Sequence, residues 1–484
     1  MSLQPAFRLV AVLFCLGLLA NCAVNPVTGR QNFVMMSEDE EVRTGRKGDE
    51  DVRKEYGVYD NPALQRYVNE VGQRLAQNSH RSNLDYHFTV VDSPEINAFA
   101  LPGGYIYITR GIMAYLNSEA ELAAVLGHEI GHVTARHGVQ QYSASMAAGI
   151  GVALGSILVP ELRSRGAQDL LNLLGNALVS GYGREHELEA DRLGAEYLAR
   201  TGYDPQAMVK VIGILKNQEL FDAEIAREEG REARRYHGLF DTHPDNDTRL
   251  KEVVGKASQF TPAKTNDHQA AYLAQLNGLV FGDSPSHGIV RGNRFLHQEL
   301  GFALSFPQNW KIKNSPDKVA ALSPGNDGQI ELYLVGPARG APADFLLRNI
   351  RLDAGGELDT APINGLPAAV MSGIRQGKPV KAGAIHLKDK AYVLIATAKS
   401  PSAYNRYRES MASAIGSFRV LPESERKLAQ PTLVRTLPAR KGETFASLAR
   451  RSPLGKNAEG YLRLMNHAYP SGEPQPGQLL KIIE

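Results

Sequence analysis

His128-Glu129-Ile130-Gly131-His132 carries the residue types of a metal-dependent hydrolase at a spacing that a helix makes useful. Residues four apart lie on one helix face, so His128 and His132 can aim two imidazoles at one ion. Glu129 sits beside them and can take a proton from a water at that metal. Zn2+ takes neutral nitrogen or anionic ligands in a tetrahedron with one open position. One zinc ion per chain and a carboxylate base would therefore complete a hydrolytic site. The plainer alternative is two satisfied core histidines. A buried helix has no structural reason to carry two histidines and a glutamate together.

The elements that must hold these groups are partly legible. Ser118 and Glu121 form an S-x-x-E capping box that can start a helix, and Leu122, Ala123, Val125 and Leu126 make that helix largely apolar. Two histidines leave the tetrahedron short, so a third ligand must lie elsewhere. The next ionisable cluster, Arg184-Glu185-His186-Glu187-Leu188-Glu189-Ala190-Asp191, opens a helix running through Leu193, Ala195 and Leu198 and stopping at Gly202. Spacing alone allows Glu185, Glu187 or Glu189 as ligand. Glu187 and Asp191 are four apart and can face one site, one binding metal and the other holding a ligand histidine by a hydrogen bond. Without the first motif, a solvated charged face would be the better reading of this run.

Taken together, four separated blocks in order resemble a known family. They are Asn97 to Ile108 (NAFALPGGYIYI), Glu121 to Gly127 leading into the histidine motif, Glu187 to Asp191, and Thr242-His243-Pro244 with Arg249. The resemblance is to the zinc metallopeptidases that include HtpX, the CAAX prenyl endopeptidases and periplasmic BepA, and it covers roughly residues 25 to 260. It implies a mainly α, gluzincin-like zincin domain with a small β-sheet. It also implies Glu187 as third zinc ligand, Asp191 as the partner of a ligand histidine, and His243 and Arg249 in a loop near the metal that could stabilise an oxyanion. The multi-spanning members have long apolar segments that this chain lacks, so it looks like the periplasmic branch.

The front of the chain reads as an address. Arg8 precedes an apolar run from Leu9 to Ala20, too short to span a bilayer and suited to a secretory signal. Residues 1–22 end in Leu19-Ala20-Asn21-Cys22, close to a bacterial lipobox, with Asn21 a departure from the usual small residue. A lipid on Cys22 would tie the chain to a membrane, and Ala23 is similar to lipoproteins sorted to the outer membrane. The alternative is ordinary signal cleavage near Ala20 or Ala23. Cys15 lies in the removed segment, so the mature chain keeps at most one cysteine and forms no internal disulfide.

At 484 residues the chain should hold about three domains. Its net charge of +2 argues against nucleic acid as a partner. Met146 to Val159 is apolar and glycine-rich; with Ala167 to Ser180 it reads as a helical pair over the cleft. Ala223 to Arg235 reads as a charged, exposed helix. From 282 to 420 the texture changes to short alternating runs such as Phe302 to Phe306, Ile330 to Leu334 and Tyr392 to Ala396, the period of half-buried strands. Helices fit Ala343 to Ile350 and Ala403 to Ser417. This small α+β domain carries no catalytic constellation, and His297 and His386 read as surface residues.

Residues 432–484, after a polar linker, run through Lys441-Gly442-Glu443-Thr444, Leu464-Met465-Asn466 and Pro476-Gly477-Gln478. This βααβ pattern resembles a LysM module, which implies contact with peptidoglycan. The whole chain reads as a multidomain, extracytoplasmic zinc endopeptidase of the bacterial envelope, acting on misfolded or misassembled envelope proteins in the periplasm and anchored to the outer membrane. The Tyr105-Ile106-Tyr107 strand is expected to be the edge to which an extended peptide adds. The competing class is an envelope chaperone or peptidoglycan-binding protein with a latent metal site. An intact Glu129 argues against it, because a structural zinc needs no base.

Overall fold

The computed structural model describes residues 22–24, 26, 27, 29, 31–34, 36–146, 182–229 and 267–484. The apolar run from Leu9 to Ala20, the expected helical pair beyond Met146, and the loop carrying His243 and Arg249 lie outside the described residues. Among the described residues no helix is long and apolar enough to cross a membrane. The chain divides into two compact units: residues 1–53, 58–279 and 433–484, and residues 54–57 and 280–432.

The first unit is built on helices α1 (Glu38–Tyr56), α2 (Pro62–Ala76), α3 (Glu119–Thr134), α4 (Arg184–Arg200), α5 (Gln206–Glu229) and α6 (Gln269–Leu276). Every residue of α3 is buried. That is the burial of a central helix rather than of an amphipathic one with a wet face. Ser118 caps it, its side chain accepting from the Glu121 amide at 3.2 Å. The Glu121 carboxylate reaches one residue further back than in the standard capping box and accepts from the Asn117 amide at 2.7 Å.

Glycines let α4 lie directly on α3. A Cβ on Gly127 would stand 3.3 Å from the Gly194 Cα, and one on Gly131 only 2.9 Å from the Ala190 carbonyl oxygen. Any side chain at these positions would push the two helices apart. The pair carries all the metal-binding candidates, so this contact sets the spacing of the site.

A three-stranded sheet flanks the helices: β1 (His87–Val91), β2 (Ala98–Leu101) and β3 (Tyr105–Thr109), in the order β1-β3-β2. β3 is parallel to β1 and antiparallel to β2. The Tyr105-Ile106-Tyr107 strand is thus the centre of the sheet and has no free edge, against the sequence expectation. The outer side of β1 is covered too. The Gln65 amide bonds both the carbonyl and the amide of Val90, at 2.8 and 2.9 Å, and the Tyr59 amide also donates to Val90. The other outer strand of the three is β2. Pairing order depends on contacts distant in sequence, which strand periodicity does not encode.

The stretch expected as a charged, exposed helix from Ala223 is, as far as Glu229, the end of α5, with Glu224 and Arg227 to Glu229 exposed and Ile225 and Ala226 buried. Residues 230–235 lie outside the described residues. Residues 433–484 pack with the peptidase helices as part of the same unit. They run strand (Thr432–Pro438), helices (Phe445–Ala449 and Ala458–Met465) and strand (Leu479–Ile483), the two strands pairing antiparallel.

The second unit is an α+β body. A seven-stranded antiparallel sheet holds the long strands Gly328–Pro337, Lys378–Leu387 and Lys390–Ala398 at its centre. A four-stranded sheet contains Phe302–Ser305. Helix Pro401–Gly416 contributes Met411, Ala414 and Ile415 to one core, with Phe302, Tyr392 and Phe418. Helix Pro342–Asn349 buries Phe345 and Leu346 in the other, against Met371 and Ala384. His297 and His386 are both buried, not on the surface as expected. Both lie in strands buried on both faces at these positions, Arg294–His297 and Lys378–Leu387.

Candidate metal centre

His128 and His132 project from successive turns of α3, their Nε2 atoms 3.0 Å apart. Glu187, in the first turns of α4, brings its two carboxylate oxygens to 3.6 Å from His128 Nε2 and 3.5 Å from His132 Nε2. All three side chains are buried. Their ligand atoms lie within 4.8 Å of one another, the one grouping among the described residues that could hold a metal. Two imidazole nitrogens and one carboxylate converging on a point match a three-ligand site with a fourth position left for water or substrate. Three groups of this polarity, buried face to face, fit an ion better than they fit each other.

Asp191 lies one turn beyond Glu187 and its Oδ1 is 2.8 Å from His128 Nδ1. A carboxylate at this distance suits the tautomer with the proton on Nδ1 and Nε2 toward the metal position. Glu185 is exposed at the start of α4, and Glu189 points away from the three ligands. The alternatives left open by spacing thus resolve to Glu187 in the geometry. Glu129, next to His128 in sequence, is fully buried.

Two residues at the site carry no motif. The Tyr182 ring stacks on His132, centroids 4.0 Å apart at 21°. Burial, then the charges of Glu129 and Glu187, push its hydroxyl well above the ordinary tyrosine value, so it stays a proton donor. His137 sits just past the end of α3 with its Nδ1 2.9 Å from His132 Nδ1. A histidine five residues past a ligand lies on no shared helix face, so helical spacing gives no signal for it. A small cavity beside His132 is lined by Ala100, Leu101 and Pro102 of β2 and the turn after it, and by Tyr182.

Comparison with known proteins decides the family. Residues 62–257 match the model for peptidase family M48. Over 359 residues the chain is 30% identical to the Beta-barrel assembly-enhancing protease of Yersinia pestis, covering 69% of this chain and 71% of that one. The chain belongs to peptidase family M48. This M48 chain is 31% identical over 263 residues to the Beta-barrel assembly-enhancing protease of Escherichia coli (strain K12), of which it spans 51%. It is 32% identical over 185 residues to the Mitochondrial metalloendopeptidase OMA1 of Schizosaccharomyces pombe, spanning 54% of that chain. Membership makes the chain a metalloendopeptidase, and His128, His132 and Glu187 are the residues on which this M48 member converges.

Proposed function

We propose that the chain is a zinc endopeptidase of the bacterial envelope, with His128, His132 and Glu187 as ligands and Glu129 as general base. The convergence of these three buried donors, with a buried carboxylate beside them, carries the reading. When bound, the ion would polarise the scissile carbonyl and ease deprotonation of the attacking water. Glu129 takes that proton and returns it to the leaving amine. Asp191 fixes the His128 tautomer, and Tyr182 closes one side of His132. The outer strand β2, whose Ala100 and Leu101 line the cavity beside His132, is where an extended substrate would lie. On the family resemblance, His243 and Arg249 support the oxyanion.

The substrates in this reading are misfolded or misassembled envelope proteins; the name of the Yersinia pestis and Escherichia coli relatives, Beta-barrel assembly-enhancing protease, supports a role in assembly. A signal peptide ending at Cys22, a lipid on that cysteine and wall contact through residues 432–484 would place the enzyme in the periplasm, between outer membrane and peptidoglycan. Palmitate labelling that is lost in Cys22→Ser, and sacculus pull-down that is lost on truncation after Gln430, test these two anchors.

The reaction is tested with Glu129→Gln. The variant keeps its zinc and loses roughly 10²–10⁴-fold in casein turnover, because the base acts only on the water. Wild-type turnover in that variant would end the protease reading. Glu187→Gln should lose the metal.

A further inference from the structure

Beyond Thr134 the chain leaves α3 through Ala135 and then through Arg136, which adopts a left-handed conformation (φ 58°). A non-glycine residue there is strained, at a cost of about 1 kcal/mol or more, and holds only when its surroundings fix it. Here they do. Arg136 Nε lies 2.9 Å from Glu41 Oε2, and its terminal nitrogen donates to the Met36 carbonyl at 3.0 Å; Glu41 is itself fully buried. The turn folds the chain back so that the next residue, His137, lies against the last turn of the helix it has just left.

His137 is fully buried and bonds at both ring nitrogens. Its Nδ1 is 2.9 Å from His132 Nδ1, and its Nε2 is 3.2 Å from Glu189 Oε2. The proton order along this chain follows from its two ends. A histidine that binds metal through Nε2 carries its proton on Nδ1, so His132 must donate to His137. His137 Nδ1 is then a lone pair, its proton sits on Nε2, and that proton goes to the Glu189 carboxylate, which can only accept. The His186 ring lies flat against His137, centroids 4.2 Å apart at 19°.

We propose that His137 and Glu189 are the positioning pair for the His132 ligand, an imidazole relay that does for His132 what Asp191 does directly for His128. The inference rests on the assignment of His128, His132 and Glu187 as metal ligands. It gives α4 three roles within five residues: Glu187 binds the metal, Asp191 orients one ligand histidine, and Glu189 orients the other through His137. Glu189 is thus neither a ligand nor a member of a solvated face. Loss of an outer hydrogen bond to a ligand histidine typically weakens metal binding 10–100-fold.

The test is the zinc dissociation constant of the full chain, measured by competition with a chromogenic chelator. His137→Ala and Glu189→Gln should each weaken zinc binding at least 10-fold. His137→Asn places an amide oxygen near the former Nδ1 but no longer reaches Glu189, and should recover part, not all, of the affinity lost in His137→Ala. His186→Ala removes the stacked ring but not the hydrogen bonds, and should bind zinc within about threefold of wild type. Unchanged affinity in both His137→Ala and Glu189→Gln would overturn the relay. So would His137→Asn as weak as His137→Ala, or His186→Ala as weak as either, since both would point to packing alone. Glu189→Gln changes a half-exposed side chain and keeps the test open if His137→Ala fails to fold. His128→Ala is the control for the site itself: wild-type affinity there would refute the ligand assignment, whatever the relay variants do.

Discussion

The ammonium of Lys481, in the last strand of the chain, donates to the main-chain carbonyl of Leu116, at the entrance to the metal-bearing helix. Lys481 is fully buried. Its own backbone is held by Asn466, whose amide accepts from the Lys481 N–H and donates to the Lys481 carbonyl, both at 2.8 Å. Next to it, Asn117 donates to the Met465 carbonyl at 3.0 Å. On α5, Phe221 packs edge-on to the rings of Tyr461 and Tyr469, and a Cβ on Gly460 would strike it. The C-terminal βααβ segment thus braces the two elements on which the metal-bearing helix rests.

Truncation after Gln430 should therefore do more than remove any wall-binding function. It exposes Phe221, leaves the Leu116 carbonyl without its donor, and frees the start of α3. We expect the melting temperature of the peptidase unit to fall by about 10 °C, the effect of roughly 4 kcal/mol in a unit of this size. Unchanged melting in calorimetry would make the segment a passenger.

A second prediction isolates the charge. Burial lowers the Lys481 pKa from its ordinary value and raises that of Glu121, while the opposite charges pull both back toward ionisation. His467 Nε2 also stands 3.4 Å from the Glu121 carboxylate. The two are not in direct contact, the Lys481 ammonium being taken by the Leu116 carbonyl and the Glu121 carboxylate by the Asn117 amide. Removing one charge nevertheless leaves the other buried without its counter-charge, whereas replacing both avoids that cost. Lys481→Met should be strongly destabilising, and Lys481→Met with Glu121→Gln should recover more than half of the loss. Additive effects in a urea double-mutant cycle would show that the two do not interact.

Gly131 gives a third. A Cβ there would meet the backbone of Ala190 at 2.9–3.0 Å, and backbone cannot swing aside as a side-chain tip can. Ala190 lies between Glu187 and Asp191, so moving α4 outward separates the carboxylates from His128 and His132. Gly131→Ala should cost about 1–3 kcal/mol by overpacking and weaken metal binding as well. Gly213, in α5, has nothing within 4 Å of its Cβ position. Gly213→Ala should stabilise by about 0.5–1 kcal/mol and leave metal binding alone. If both substitutions behaved alike, the close approach of α3 and α4 would not be what spaces the site.

The grouping of the site was legible where it followed helical period, with the family resemblance choosing Glu187 among the three carboxylates that spacing left open. His128 and His132, and Glu187 and Asp191, are each four apart, and each pair shares a face. His137 escaped because its route to His132 runs through a left-handed turn at Arg136, stabilised by Glu41 from a helix some ninety residues earlier. The strand Tyr105–Thr109 was recognisable as a strand, but its place at the centre of the sheet comes from pairing with His87–Val91 on one side and Ala98–Leu101 on the other, which no local pattern encodes. Lys481 alternates along its strand like a surface lysine, and only the partner surface at Leu116 makes it a buried one. In the second unit the strands and both helices followed their local patterns closely. The burial of His297 and His386 did not show, because their strands are covered on both faces there and residue type alone gives no sign of that.

That burial supports the last prediction. His297 closes the strand Arg294–His297 and is 6% exposed, against Phe295 and Phe302. Burial, with the nearby His287 adding to it, pushes its pKa down to about 4. Between pH 4 and the ordinary value of 6.5 the unfolded chain binds a proton at this position that the folded chain does not. The stability of the second unit should therefore be complete above pH 6.5 and fall progressively as the pH drops toward 4, by on the order of 3 kcal/mol from this group. Trp310 is the only tryptophan of the chain and lies in the core of this unit, so its fluorescence reports on that unit by itself. Urea midpoints followed by Trp310 emission should shift with pH across this window in the wild type. In His297→Asn, which keeps an acceptor for the Leu300 amide but cannot titrate, the curve should flatten. An equally steep pH dependence in that variant would assign the acid sensitivity to another group.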